Sequence, residues 1–95
     1  MSMSDKTVHV RIEGRVQGVF YRAWTSEQAL SRGLAGWVRN MRDGSVEALF
    51  SGPAADVDDM LTACRSGPPL ADVTKISPIP CEAPETPGFH KLPTA

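Results

Sequence analysis

The sequence predicts a two-layer α/β sandwich with the order strand, helix, strand, strand, helix, strand. Three observations carry that prediction. Lys6–Glu13 alternates Val8, Val10 and Ile12 with His9, Arg11 and Glu13, the pattern of a half-buried strand. Val57, Met60, Leu61 and Cys64 fall at i, i+3, i+4 and i+7, the stripe of an amphipathic helix. Arg42-Asp43-Gly44 separates two strand-like runs and marks a tight hairpin.

The elements follow in order. After the first strand, Gly14–Gly18 breaks the alternation with two glycines. Arg22–Arg32 turns helical, with Ala23, Ser26, Leu30 and Leu34 as its expected apolar stripe and Gly33 placed to end it. Ala35–Met41 is the second strand and Ser45–Phe50 the third. Gly52-Pro53 opens the second helix, with Pro near the first helical position. Arg65 suits its end, and Gly67-Pro68-Pro69 stops it. Ala71–Ile79 is the fourth strand. Its apolar Val73 and Ile76 are three apart, so a bulge or bend is expected. Pro78 and Pro80 confine its end to a sheet edge. Cys81–Pro87 is a loop, and Gly88–Leu92 can add a short fifth strand.

Right-handed crossovers put both helices on the same face of the sheet. The expected architecture is a ferredoxin-like sandwich, βαββαβ, with an antiparallel or mixed sheet. The 95 residues allow one domain, 1–95, with its core over about 6–92. That length supports a core without metal or disulfides. Such folds host metabolic enzymes, RNA binders and regulatory domains, so function must come from the site.

Composition excludes several classes. No apolar run approaches the ~18 residues of a membrane span. Met1–Thr7 is polar, unlike a secretory signal. The net charge of −1 argues against bulk attraction to nucleic acid or anionic membrane. The charge is uneven, however. Residues 1–42 carry seven Lys/Arg against three Asp/Glu, and residues 43–95 carry three against eight. The N-terminal half suits a small anion. Cys64 and Cys81 form no metal-binding pattern, and both are expected to be free thiols in a reducing cytoplasm.

Gly14-Arg15-Val16-Gln17-Gly18-Val19-Phe20-Tyr21-Arg22 joins the first strand to the first helix. Glycines there let the backbone curl so that several N–H groups point inward. Such a nest near a helix N-terminus holds phosphate. Arg22 at the helix start can close over the same anion with two parallel donors. The spacing is neither that of the P-loop nor that of the dinucleotide-binding turn. From the residues alone two readings stand: an anion nest, or an ordinary strand-to-helix turn with Arg22 on the surface.

These nine residues resemble the signature of the acylphosphatase family. Gly36-Trp37-Val38-Arg39-Asn40 resembles its second motif, with Gly44, Val46 and Gly52-Pro53 following at the family's spacing. Val57, Met60, Gly67-Pro68-Pro69 and Val73 continue the similarity over roughly residues 6–79. The resemblance implies a small ferredoxin-like hydrolase that cleaves the carboxyl–phosphate bond of acyl phosphates to a carboxylate and inorganic phosphate. It implies phosphate binding by the backbone amides of Arg15, Val16, Gln17, Gly18, Val19, Phe20 and Tyr21. It assigns the catalytic roles to Arg22 and Asn40, with no metal and no organic cofactor. The partner it implies is a small acyl phosphate, with no nucleic acid and no membrane, and a monomer is expected. After Pro80 the chain departs from the family, which usually finishes in a strand of aromatic and β-branched residues. Here Phe89 and Leu92 stand among prolines.

So few groups suffice for such a reaction. The leaving carboxylate is a weak base and needs little general-acid help. What remains is to neutralise phosphoryl charge and to place a water in line. Loop amides and Arg22 suit the first task. Asn40 suits the second, its amide oxygen accepting from water and its NH2 donating to phosphate. Thr25, one turn past Arg22, has two readings: a hydrogen bond back into the loop, or local bonding to a helix carbonyl. Arg15 either extends the positive field or is an exposed loop charge. Trp24 and Trp37 read as packing residues, and Asp56, Asp58 and Asp59 as charges suited to the second helix dipole. His9 falls opposite Val8 and Val10, and no Ser-His-Asp set is present.

Two other classes compete. One is a noncatalytic anion-binding or interaction module that keeps the loop; Arg22 and Asn40 favour the enzyme. The other is an RNA-binding domain, which needs aromatics displayed on the sheet. Three Phe, two Trp and one Tyr under an acidic balance serve that poorly. A related domain occurs in larger carbamoyl-transfer maturation proteins, which carry extra domains and zinc-finger cysteines.

Overall fold

The computed structural model describes residues 5–95. The elements are β1 (Asp5–Arg15), α1 (Tyr21–Ser31), β2 (Ala35–Asn40), β3 (Val46–Pro53), α2 (Ala54–Ser66), β4 (Asp72–Pro80) and β5 (Phe89–Lys91). One sheet holds all five strands in the order β4-β1-β3-β2-β5. Every neighbouring pair is antiparallel except β2–β5, which is parallel. The expected element order and mixed sheet are both observed. α1 packs over β2 and β5, and α2 over β1, β3 and β4. Among the described residues no helix is long and apolar enough to cross a membrane.

Alternation places the core. Val8, Val10 and Ile12 of β1 and Val46, Ala48 and Phe50 of β3 are buried beneath the helices. Register pairs Val8 with Phe50, Val10 with Ala48 and Ile12 with Val46. Each fully buried Val, Ile or Phe contributes roughly 1.5–3 kcal/mol. From α2, Val57, Met60 and Cys64 meet them with no exposed surface. Burial pushes the Cys64 thiol pKa up to about 12, so it is packing and not a nucleophile.

The α1 stripe differs from the expected one. Its buried residues are Tyr21, Thr25 and Ala29, while Leu30 is 58% exposed. The anchor is Tyr21, which starts the helix and whose hydroxyl donates to the Cys64 carbonyl at 2.6 Å. Steps of four from that anchor set the inward face. Leu34 is buried, but it lies beyond the helix end.

The expected irregularity in β4 is present. Glu13 pairs with Lys75 and Gly14 with Val73, so Thr74 is the extra residue of a bulge. Gly14 is required there: a Cβ would sit 2.2 Å from the Asp72 carbonyl oxygen. β4 is an edge strand, as Pro78 and Pro80 predict. β5 forms between flanking prolines because Phe89 turns inward and stacks on Phe50, ring centroids 5.7 Å apart.

Candidate active site

The β1–α1 loop is held by alternate burial. Val16 and Val19 tuck into the core, Gln17 is half-buried, and Gly18 and Phe20 face outward. Gly18 has φ +72°, a left-handed conformation in open space. Phe20 has φ +63° and occupies the N-cap of α1 without a side-chain cap. The first helical bond runs from Trp24 N–H to the Phe20 carbonyl at 3.0 Å. Among the described residues, the amides from Gln17 to Ala23 have no backbone acceptor. They are therefore free to receive an anion at the positive end of α1.

Asn40 reaches the same place from β2. Its register partner is Val46, whose side chain is buried under the helices, so Asn40 also points to the helix-bearing face. There it lines the same cleft as the first turn of α1. Backbone bonds fix the strand end: Ala95 N–H donates to the Asn40 carbonyl at 3.0 Å, and Leu92 N–H to the Val38 carbonyl at 2.9 Å. The β2–β3 turn begins one residue later. Gly44 N–H donates to the Met41 carbonyl at 3.1 Å, and Met41 N–H to the Ser45 carbonyl at 2.8 Å. Asp43 Oδ1 accepts from Ser45 N–H at 2.9 Å and from Ser45 Oγ at 2.6 Å. The Ser45 hydroxyl and amide, with Arg11 beside them, hold the Asp43 carboxyl well below the usual carboxylate range. Ser45 is thus committed to the turn, and β3 starts at Val46.

These pieces enclose an open cleft of about 660 Å³. Loop and helix contribute Val16, Gln17, Gly18, Phe20, Tyr21, Arg22 and Ala23. Asn40 forms part of another wall, with Lys91, Leu92 and Pro93. Arg22 and Asn40 are both half-buried. The lining contains two cations and no carboxylate, which together with a helix N-terminus suits an anion.

The remaining candidates lie elsewhere. Arg15 is exposed at the end of β1, outside the lining; Val19 turns its side chain into the core, while its amide is one of the unpaired ones of the loop. Thr25 forms neither of the hydrogen bonds considered for it; its Oγ1 is buried without a partner. His9 is on the open face of the sheet, 3.0 Å from Glu47 Oε2. His90 pairs its Nε2 with the Pro87 carbonyl. Asp58 pairs with Lys6, and Asp59 with Arg32.

Lys91 was not among the sequence candidates. The signal for it exists: with Phe89 inward, strand alternation sends Lys91 to the same face two residues on. Its register partner is the buried Val38, two residues before Asn40.

Comparison with known proteins is consistent along the chain. The acylphosphatase family model matches residues 8–91. An acylphosphatase of Rhodospirillum rubrum is 58% identical over 89 residues, spanning 94% of this chain and 98% of its own. An acylphosphatase structure from Coxiella burnetii superposes with a TM-score of 0.91 at 27% identity, covering 97% of this chain and 100% of that one. That of Bacillus subtilis gives 0.86 at 36% identity, over 90% and 97%. The loop, Arg22 and Asn40 all lie inside the matched span, and the chain belongs to the acylphosphatase family of hydrolases.

Proposed function

We propose that this chain hydrolyses small acyl phosphates in the cleft between the β1–α1 loop and the end of β2. One observation carries the reading: unpaired loop amides, Arg22 and Asn40 line a single cleft. The unpaired loop amides from Gln17 to Tyr21, with Arg22, hold the phosphate and take up charge on its nonbridging oxygens. Asn40 orients a water by accepting one of its protons and keeps register with phosphate through its NH2. The water oxygen attacks phosphorus. The bond from phosphorus to the acyl oxygen breaks, and its electron pair leaves on the carboxylate. A nonbridging phosphate oxygen takes the water's proton, giving carboxylate and inorganic phosphate. No protein base is needed, in keeping with a cleft lined by no carboxylate or histidine. Loop, arginine and asparagine come from one chain, so the reading is of a monomer. Both cysteines are free thiols, which suits a reducing cytoplasm.

The experiment is phosphate release from acetyl phosphate, with and without a chelator. Chelator-insensitive turnover, competitively inhibited by inorganic phosphate, is expected. Absence of turnover, or turnover that a chelator abolishes and a divalent ion restores, would overturn the mechanism.

A further inference from the structure

Phe20 is unexplained by the fold. Its backbone is left-handed at φ +63°, a conformation that disfavours a side chain, and the residue is 78% exposed. It sits at a helix N-cap, where Ser, Asp, Asn or Gly serve better. The position therefore carries backbone strain and exposed apolar surface without a cap in return. Strain of this kind collects where a ligand is handled.

Two cavities meet at this ring. Phe20 and Ala23 line the phosphate cleft and also a second groove, formed with Val19, Trp24, Pro69 and Leu70. Pro69 and Leu70 belong to the α2–β4 connection, and β4 is the sheet edge opposite β5. The second groove thus lies on the side of α1 away from Asn40 and Lys91. Leu70 is itself 65% exposed, a second large apolar side chain turned to solvent here.

In-line displacement relates the two. A water held at Asn40 approaches phosphorus from the β2 side, and the carboxylate departs on the opposite side. We infer that Phe20 is a specificity residue that receives the acyl group, guiding apolar acyl chains over its ring into the groove lined by Trp24 and Leu70. The substrate class this favours is acyl phosphates with medium aliphatic or aromatic acyl groups. Glu27 is the acidic residue of the groove, so an acyl group with its own carboxylate is disfavoured. The inference rests on the acyl phosphate reading given above.

The test is a chain-length series of acetyl, butyryl and hexanoyl phosphate, whose leaving carboxylates have nearly equal basicity. A fully buried methylene is worth about fourfold in affinity. Half-burial of four methylenes in an open groove therefore raises kcat/KM for hexanoyl over acetyl phosphate by roughly tenfold or more. That ratio should fall at least threefold in Phe20→Ala and in Leu70→Ser, through KM, and persist in Phe20→Tyr. Melting temperatures accompany each variant. If Phe20→Ala fails to fold, Leu70→Ser on the exposed connection carries the same comparison. A flat series in the wild type, or proportional losses on all three substrates, overturns the acyl-group role while leaving acyl phosphate hydrolysis standing. No turnover of any of the three overturns the activity itself.

Discussion

Gln17 donates from Nε2 to the Met41 carbonyl at 2.7 Å, and the same nitrogen also reaches the Ser45 carbonyl at 2.8 Å. Gln17 belongs to the β1–α1 loop and Met41 follows Asn40 directly. One side chain therefore ties the loop to the hairpin that carries Asn40. Gln17→Ala should loosen both. Losing two part-buried hydrogen bonds at about 1 kcal/mol each lowers the melting temperature by roughly 10 °C. The inhibition constant of inorganic phosphate should rise with it. A variant with unchanged melting and phosphate binding would show that the tie is idle.

Arg22→Lys should be nearly as damaging as Arg22→Ala. Lysine keeps the charge but loses the planar fork of a guanidinium, which the proposed role needs to grip two phosphate oxygens. Each lost charge-assisted bond is worth about 1.5–3 kcal/mol, roughly tenfold to a hundredfold in kcat/KM. Near-normal rates in the lysine variant would reduce Arg22 to a field effect.

Asn40→Ala should separate chemistry from binding. Its side chain is assigned to the water, a contact made mainly on the way to the transition state. By analogy with one oxyanion-hole amide, its loss costs about 3 kcal/mol, a hundredfold or more in kcat. Phosphate inhibition should change little, because the loop and Arg22 remain. Normal turnover with a melting temperature several degrees lower would assign Asn40 to structure instead.

Asp43 links the hairpin to pH. Its folded pKa is depressed by the Ser45 hydroxyl, then the Ser45 amide, then Arg11. The carboxylate's stabilisation is therefore complete above the ordinary value of 3.8 and is lost as pH falls below it toward the folded value. Denaturant midpoints measured from about pH 5 to about pH 2 should fall less steeply in Asp43→Asn than in the wild type. Parallel curves would remove Asp43 from the acid response.

Local pattern determined much of this protein. Period-two alternation in β1 identified Val8, Val10 and Ile12 as core, and a period near 3.6 in α2 identified Val57, Met60 and Cys64. Asp43-Gly44 located the hairpin, and Val73 and Ile76 announced the bulge in β4. In each case the partner surface is a broad sheet or helix layer, so the residue's own period decides its side. Glycines and a cation between a strand and a helix singled out the loop and Arg22 but left an anion nest and an ordinary turn both open; the choice between them, and Asn40, came from the resemblance to the acylphosphatase family. Tertiary structure alone decided the rest. α1 has a weak apolar stripe, so its inward face was set by one anchor, the Tyr21 hydroxyl bonded to the Cys64 carbonyl. Lys91 entered the cleft because β5 joins β2 in parallel, a pairing that depends on Phe89 stacking against Phe50 across some forty residues of chain. The groove beside Phe20 arises from the α2–β4 connection crossing near α1. Contacts of that range depend on how layers pack, and no local period encodes them.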